Sequence, residues 1–367
     1  TQSHHSRSSL LGGDLVFSEM RSSMALLVAA LLLLLSVAAA ADMSRSEEEM
    51  RRMHAEWMAE HGRVYNATGE GKRRFEVFRD NLRDIDQHNA AADAGVHSFR
   101  LGLNPFSDLT YEEFQSRYLG AQTKPQRERK LSVSLQAEVN VELAESVDWR
   151  KKGAVGPVKN QGSCSSAWAF AATATIEGIN QIVTGDMIPL SAQELLDCTS
   201  RYGNDGCDGG LALHAFEFII HNRGIASEED YPYQASQNRC DPEKQKSRVV
   251  TIDGYENVPS NSEKSLQKAV ANQPIVAMIM VSDSFASYAG GIFNGDCEFK
   301  GSVNHEVVVI GYGTGDGNDY WIVRNSWGAS WGENGYIRMK RNIEASSGMC
   351  GIAFHPYYPR KAAKILP

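Results

Sequence analysis

Residues 160–170 read NQGSCSSAWAF, and they open the most informative part of the chain. The text continues as a run of small and apolar residues that predicts a helix ending near Gly185. We expect this helix to begin near Ser165 or Ser166, because a serine can cap the exposed N–H groups of a first turn. Ala167 follows the two serines and carries a methyl group, which has no reactive atom.

Two fragments further along the chain can be set beside this helix. Residues 304–306 read NHE and residues 325–328 read NSWG. His305 lies 138 residues after Ala167, and Asn325 lies 158 residues after it. A base that a third group orients beside a helix N-terminus is an arrangement typical of nucleophilic catalysis.

The order of patterns along the second half predicts the fold class. Helical patterns come first, and after Pro274 short apolar runs alternate with Gly and Asn turns, which predicts antiparallel strands. Residues 311–318, GYGTGDGN, lead from one such run into another and therefore predict a hairpin turn rather than a nucleotide-binding loop. We expect an α+β arrangement of two lobes with a cleft between them.

The N-terminal region has the layout of an exported chain. Residues 1–23 are an upstream segment of doubtful meaning. Residues 24–41 form an apolar run that comes after Arg21 and ends in small residues, which predicts a signal peptide. The alternative is a transmembrane anchor, but the run is short for a span of roughly 20 residues and no basic cluster comes after it.

Composition excludes several classes of function. The formal net charge is −8, and no basic block alternates with aromatic residues, so we expect no nucleic-acid partner. The six cysteines lie downstream of a cysteine-free stretch, and an even number in an exported chain predicts three disulfides among 15 connectivities. No close CxxC pair indicates zinc, and we expect no metal and no cofactor.

Residues 42–142 differ in texture from the second half of the chain. Helical stripes rich in charge occupy residues 43–120, and Thr110 with Glu113 predicts a capping box. Residues 121–140 are polar and charged, which predicts an exposed linker open to cleavage. Asn66-Ala67-Thr68, the only N-x-S/T sequon of the chain, lies in this region.

Taken together, these fragments resemble the papain and cathepsin family of cysteine peptidases, and most of all its plant oryzain-type members. That family's signature places a histidine and an asparagine about 130–150 residues after a cysteine that precedes an aromatic residue. Two motifs of the family's propeptide also match by spacing. The residues that match are Glu70, Arg74, Phe78, Asn81, Ile85 and Asn89, and then Gly102, Asn104, Phe106 and Asp108.

The resemblance implies a papain-like two-lobed fold, with a helical lobe and an antiparallel, barrel-like lobe. It further implies an inhibitory propeptide over residues 42–142, a peptidase domain over residues 143–361 and a short tail over residues 362–367. We expect a monomer whose partners are its own propeptide and peptide or protein substrates or inhibitors in the cleft. After removal of the leader, no membrane partner is expected.

Site roles come from the resemblance, position by position. Gln161 corresponds to the oxyanion donor, His305 to the base, Asn325 to the group that orients it and Trp327 to the shield over that pair. The nucleophile position falls on Ala167.

No neighbouring side chain is expected to replace the nucleophile. The resemblance implies the disulfides Cys164–Cys207, Cys198–Cys240 and Cys297–Cys350, and Cys164 is then not a free thiol. The hydroxyl of Ser166 should point away from His305, because one residue turns a helix by about 100°. Ser165 is expected to cap the helix.

The resemblance also implies a set of substrate-binding positions. They are Gly209, Gly210, Leu211, Ala212, Met278, Asn304, Glu306 and His355. Glu306 departs from the family, which has a small residue there in the S2 pocket. A buried carboxylate needs a partner, so Glu306 either pairs with His355 or binds a basic P2 side chain; the alternative, which we favour, is that it reaches solvent or reflects relaxed constraint.

The sequence therefore predicts a papain-like zymogen in the secretory pathway, either extracellular or in a vacuole- or lysosome-like compartment. The leading hypothesis is a pseudoprotease that retains a peptide-binding cleft. A second hypothesis is an active cysteine endopeptidase, which requires Ala167 to be an artefact. A third is a pseudogene product with no selected role.

Overall fold

A computed structural model describes residues 45–120 and 143–362. The predicted signal peptide (24–41), the upstream segment (1–23), the whole linker (121–140) and the last residues of the tail lie outside these ranges. None of the helices in the described ranges combines the length and the apolar character needed to cross a bilayer. The chain divides into two compact units, Thr1–Val64 and Tyr65–Pro367.

In the first unit, the described chain forms one helix, α1, over Glu47–Glu60. Ser46 caps it by accepting a hydrogen bond from the Glu49 N–H, and three glutamates in the first turn complement the positive end of the helix. Met50, His54 and Trp57 are buried on one side of this helix, and Met53 and Met58 are half-buried.

Residues 65–120, called the pro-region because a propeptide is predicted there, form two helices and a short strand. These are α2 (Glu70–Asp93), β1 (Phe99–Leu101) and α3 (Tyr111–Tyr118). Thr110 and Glu113 make the predicted capping box at the start of α3, each side chain bonding the other residue's N–H. The matched motif residues on α2 hold these pieces together.

Buried Arg74 joins α2 to α3. Its guanidinium donates to Glu70 (2.6 Å), to Glu113 (2.7 Å) and to the backbone carbonyl of Asp108 (2.9 Å). Burial opposes ionisation of Glu113, but hydrogen bonds from Arg73 and Arg74 outweigh it and lower the pKa of Glu113 to about 2. The ion pair therefore persists at mildly acid pH.

Two asparagines of α2 satisfy backbone groups that have no partner in a helix or a sheet. The Asn81 amide donates to the carbonyls of Ser107 and Leu109, both at 3.0 Å. The Asn89 side chain exchanges two hydrogen bonds with the backbone of Leu101. The loop between β1 and α3 is fixed because its polar groups bind these side chains.

The core region, residues 143–362, begins with a helical part. Its helices are α4 (Ala167–Thr184), α5 (Ala192–Cys198) and α6 (Ala212–Asn222). Helix α4 is buried along its first fourteen residues, because alanines, threonines and a glycine let its neighbours approach on every side. It ends at Gly185, whose φ of 84° is the left-handed conformation typical of a glycine at a helix C-terminus.

Helix α5 begins directly after its N-cap, Ser191. The Ser191 hydroxyl accepts from the Glu194 N–H. The Glu194 carboxylate accepts from Ala226 N–H (2.7 Å) and from the Asn222 amide instead of closing a capping box.

The sheet carries the second half of the core region. Its strands, with two further helices, are β2 (Val147–Asp148), β3 (Gly254–Asn257), α7 (Glu263–Val270), β4 (Ile275–Ile279), α8 (Asp283–Ala286), β5 (Tyr288–Phe293), β6 (His305–Gly315), β7 (Asn318–Arg324), β8 (Tyr336–Lys340) and β9 (Tyr357–Arg360). The spatial order of the sheet is β1-β5-β8-β7-β6-β4-β9-β3, with β2 paired to β6. Residues 316–317 turn β6 into β7 as the predicted hairpin.

The expectation of a purely antiparallel lobe is wrong at one pair of strands. Strands β5 and β8 run parallel, with Ile292 opposite Arg338 and Phe293 opposite Met339. Parallel neighbours need a long crossover, and here the chain passes through β6 and β7 before β8 returns beside β5. The strands form an open path rather than a closed barrel within the described residues.

The pro-region supplies the edge of this sheet. Strand β1 pairs antiparallel with β5, and the Ile292 N–H donates to the Ser98 carbonyl at 2.9 Å. Phe99 packs its ring 4.7 Å from that of Phe293. Sequence periodicity did not reveal this strand, because three residues are too few to show an alternation.

All six cysteines are paired. The disulfides are Cys164–Cys207, Cys198–Cys240 and Cys297–Cys350, the pairs that the resemblance implies. The first of them ties the chain just before α4 to the turn that precedes Gly209.

We predict that Arg74→Met destabilises the pro-region by about 2–4 kcal/mol, because the Asp108 carbonyl loses its donor and Glu113 keeps only the more exposed Arg73 as a partner. Thermal unfolding of the full chain measures this loss. Arg83→Met is the matched control, since Arg83 lies on the same helix with 58% of its side chain exposed. Equal shifts for both variants would contradict the role given to the Arg74 ion pair.

Candidate active site

His305 and Asn325 meet because the β6–β7 hairpin folds their two strand ends together. His305 is the first residue of β6 and Asn325 comes directly after the last residue of β7. The His305 Nε2 lies 2.8 Å from the Asn325 Oδ1. Since an amide oxygen can only accept, Nε2 carries the proton, and Nδ1 of the neutral ring is an acceptor.

The other ring nitrogen of His305 is buried and has no hydrogen-bond partner among the described residues. Burial lowers the pKa of His305 to about 4, against an upward pull from the Asn325 hydrogen bond. The imidazole is therefore neutral above this pH, with Nδ1 available to accept a proton.

Trp327 covers the His305–Asn325 hydrogen bond. Its ring centroid lies 4.7 Å from that of His305, at an angle of 34°. On the outer side, Phe106 and Phe114 of the pro-region meet the indole edge-on, with centroids at 5.6 and 5.2 Å. The pair is therefore shielded from water by aromatic rings from both parts of the chain.

Gln161 binds a backbone carbonyl of the pro-region. Its Nε2 donates to Cys164 O (2.8 Å) and to Tyr118 O (3.0 Å), and its Oε1 accepts from Ser326 Oγ (2.7 Å). Ser326 also donates its N–H to Asn325 Oδ1 at 2.8 Å. One chain of hydrogen bonds thus connects Gln161, through Ser326, to the His305–Asn325 pair.

The pro-region continues along this surface after Tyr118. Ser165 Oγ donates to Leu119 O at 3.5 Å. A Cβ added to Gly209 would lie 2.0 Å from Gly120 O, and Gly209 has a φ of 121°. Position 209 therefore requires a glycine for two reasons. Its backbone conformation disfavours a side chain, and the passing chain leaves no room for one.

Ala167 is the first residue of α4 and is 5% exposed. It lines a small cavity between α4 and the β6–β7 hairpin together with Asn325, Ser326 and Glu306. Its methyl group brings no hydrogen-bonding or nucleophilic atom to this site.

The two serines before Ala167 do not cap α4 as predicted. Ser166 is the N-cap, but its side chain makes no capping bond; its hydroxyl lies 2.7 Å from that of Tyr233. The expectation that Ser165 caps the helix is wrong, because its hydroxyl bonds Leu119 of the pro-region. The N–H groups of this helix end thus receive no side-chain oxygen from either serine.

Two of the expectations for Glu306, that it reaches solvent and that it pairs with His355, are also wrong. It is 2% exposed, so it does not reach solvent. Its Oε1 accepts from Tyr357 OH (2.6 Å) and its Oε2 from Ala212 N–H (3.0 Å), so the expected pairing with His355 is replaced by these two bonds. His355 is exposed, and its Nδ1 lies 3.1 Å from Ser260 Oγ.

Apart from His355, the other predicted subsite positions lie at the start of α6 or beside strands β4 and β6. Met278 lies opposite Glu306 in the β4–β6 register, and Leu211 precedes Ala212 at the start of α6. Gly210 packs tightly against Asn204, whose Oδ1 also accepts from Leu211 N–H. Asn304 accepts from Val281 N–H at 2.8 Å. His355 lies apart from the buried Glu306 cluster.

Sequence reasoning missed Ser326, Tyr233 and the carbonyls of Tyr118 and Leu119. Ser326 lies inside the NSWG fragment, so its neighbours could have indicated it. Tyr233 donates to Gln161 O at 2.7 Å, although 72 residues separate the two. No local pattern signals such a contact, and none reveals which backbone carbonyls occupy the site.

The fold and the site together define a cysteine-protease scaffold in its zymogen form, with a propeptide lying along the active-site cleft. Residues 143–360 match the family model described as papain family cysteine protease, and residues 54–114 match that of the cathepsin propeptide inhibitor domain. The chain belongs to the papain family.

Relatives and solved structures agree with this membership. Cysteine proteinase RD21A of Arabidopsis thaliana and oryzain beta chain of Oryza sativa subsp. japonica are each 53% identical over 320 residues, covering 86% of this chain and 68% of theirs. A recombinant stem bromelain precursor superposes with a TM-score of 0.76 at 42% identity, covering 85% of this chain and 99% of its own. The proform of the ragweed pollen allergen Amb a 11 gives 0.78 at 38% identity, covering 86% and 96%.

Glu306 gives the protein a pH-dependent stability. Burial raises its pKa to about 7, although hydrogen bonds from Tyr357 and Ala212 pull it down. The folded protein holds a proton that an unfolded carboxyl releases near its ordinary value of 4.5. The free energy of unfolding therefore falls as the pH rises between these values.

We predict that the free energy of unfolding falls less between pH 4.5 and pH 7 in Glu306→Gln than in the unsubstituted chain, because glutamine has no proton to release. The difference should reach up to roughly 3 kcal/mol at pH 7. Chemical denaturation at pH 4.5 and pH 7 measures it, with exposed Glu344→Gln as the control. Glu194, whose pKa burial also raises to about 7, leaves a residual fall in every variant. An unchanged pH dependence in Glu306→Gln would contradict the assignment.

Proposed function

We propose that this chain is a papain-family zymogen that binds peptides in its cleft without cleaving them. The observation that carries the proposal is Ala167 at the N-terminus of α4, beside an otherwise complete arrangement of Gln161, His305 and Asn325. In this proposal Gln161 is the oxyanion donor, His305 the base, Asn325 the residue that orients it and Trp327 their shield. Ala167 occupies the nucleophile position.

The chemistry of peptide hydrolysis in this family requires a thiolate that attacks the carbonyl carbon. A methyl group cannot supply it. Cys164 is bonded to Cys207, and the Ser166 hydroxyl is engaged with Tyr233. The remaining groups can position and polarise a carbonyl, which in other triad enzymes leaves roughly 10³–10⁴-fold over water. That rate is negligible for a protease.

In this proposal the cleft still binds peptides, because groups that donate hydrogen bonds to a peptide backbone are present. Gln161 already holds a backbone carbonyl, that of Tyr118. Gly209 lies against the passing chain at Gly120. In this proposal Gly210, Leu211, Ala212, Met278 and Asn304 also contact a bound peptide. Glu306 is neutral and engaged at mildly acid pH, so it does not favour a basic P2 side chain. His355 is left at the rim.

The proposal also covers the export, the location and the processing of the chain. Residues 24–41 direct it into the secretory pathway, and it works outside the cell or in a vacuole-like compartment as a monomer. Residues 42–142 are its propeptide and residues 143–361 its peptidase-type domain. Since the chain has no nucleophile of its own, another protease must cut between residues 121 and 142.

A second candidate is an active cysteine endopeptidase in which Ala167 is an artefact. The intact His305–Asn325 pair and the names of the relatives, which are cysteine proteases, favour it. The third is a pseudogene product with no selected role. Buried Glu306 and Ala167 together are changes that loss of selection would also allow.

We predict that the mature domain with Ala167, freed of its propeptide, hydrolyses no fluorogenic peptide at mildly acid pH under weak reductant, and that Ala167→Cys in the same domain raises the rate by at least about 10³-fold. The double variant Ala167→Cys/His305→Ala is the control, because it keeps the thiol and removes the base. Turnover by the unsubstituted chain would contradict the proposal. If Ala167→Cys is also inactive while it remains folded, the pseudogene alternative gains.

We also predict that the isolated zymogen stays intact at pH 4.5, whereas a trace of an active papain-type protease trims it within residues 121–142. Gel electrophoresis and mass spectrometry of the new N-terminus measure the cut. Ala167→Cys serves as the comparison, since it should trim itself. Trimming of the unsubstituted chain without added protease would contradict the absence of a nucleophile.

A further inference from the structure

The sequon Asn66-Ala67-Thr68 occupies an exposed turn of the pro-region. Asn66, Ala67 and Thr68 are all exposed, and they lie in irregular chain just before α2 begins at Glu70. The Glu70 N–H donates to Ala67 O at 3.1 Å, and Gly69 adopts a φ of 82°. The chain therefore reverses here with the two sequon side chains on its outside.

Both ends of this turn are held by side chains other than those of the sequon. Tyr65 OH donates to Asp108 Oδ2 at 2.6 Å, and Glu70 accepts from Arg74. Within the described residues the Asn66 and Thr68 side chains make no hydrogen bond. Nothing in the packing of the pro-region requires the Asn66 amide, and a large substituent on it would extend into solvent.

We propose that Asn66 is an N-glycosylation site, a role that rests on the export of the chain proposed above. The substrate is a lipid-linked diphosphate oligosaccharide of the secretory pathway. A bond forms between the Asn66 amide nitrogen and C1 of the first sugar, and the bond from C1 to the diphosphate oxygen breaks. The lipid diphosphate leaves with the electron pair and the amide nitrogen loses a proton to a base, so no electron donor or acceptor is needed. The Thr68 hydroxyl supplies the recognition that an N-x-S/T acceptor requires.

The position of this site links the sugar to the uncleaved form. No other sequon occurs among the 367 residues, so residues 143–361 offer no second acceptor of this type. Cleavage within residues 121–142 separates the glycan from the core region. In this proposal the zymogen is the N-glycosylated species and the trimmed protein carries no N-linked glycan.

The test expresses the full chain in yeast, with its own leader and, in parallel, with a leader that the host exports. Endoglycosidase H and mass spectrometry of the peptide containing residue 66 detect the glycan. Asn66→Gln and Thr68→Ala should abolish it, Thr68→Ser should retain it, and Asn294→Gln, at an exposed asparagine outside any sequon, should leave it unchanged.

Comparison of the two leaders distinguishes failure of the glycosylation site from failure of export. Exported chain with unmodified Asn66 behind either leader overturns the glycosylation site while export stands. The chain with the host leader could be glycosylated at Asn66 while the chain with its native leader stays uncleaved in the cytosol. That result would overturn the export of the chain and, with it, the role of the glycan in this protein, although Asn66 would be a competent acceptor. A glycan that persists in Asn66→Gln overturns the assignment to Asn66.

Discussion

The burial of helix α4 is the constraint on which the rest of the structure depends. Small side chains let α5, α6 and strand β6 pack against it on several sides. At Gly178 a Cβ would lie 2.8 Å from Pro274 Cγ, so the approach of the chain before β4 requires a glycine there. This packing fixes the first turn of α4, and with it Ala167 and Gln161, relative to the β6–β7 hairpin. A site made from residues more than a hundred positions apart needs such a rigid support.

The pro-region acts on this support as a bound ligand does. It adds β1 to the edge of the sheet, places two phenylalanines on Trp327 and gives the Tyr118 carbonyl to Gln161. Arg74 and two asparagines of α2 hold the intervening loop, so these contacts are made by a preorganised segment rather than by a flexible chain. The cleft is therefore occupied by the chain's own backbone in the zymogen.

Glu306 illustrates how tertiary context decides the behaviour of a charged residue. The sequence left open whether Glu306 pairs with His355, binds a basic P2 side chain, reaches solvent or reflects relaxed constraint. The structure buries it between Ala212 N–H and Tyr357 OH, where a neutral carboxyl is favoured because the desolvation of a charge costs more than two hydrogen bonds return. The same burial lowers the pKa of His305, since no negative partner compensates for desolvation of the imidazolium.

The sequence by itself determined the family, the α+β class, the existence and approximate extent of the main helices, and the absence of a reactive atom at Ala167. These properties are local, because helix periodicity, caps such as Thr110 and motif spacings all depend on short stretches of chain. Only the tertiary structure decided the parallel β5–β8 pair, the strand that the pro-region adds, the partners of Glu306 and the contact between Gln161 and Tyr118. Each of these depends on groups brought together across the fold, whose approach is set by packing and by the need to satisfy buried polar groups rather than by any pattern along the chain.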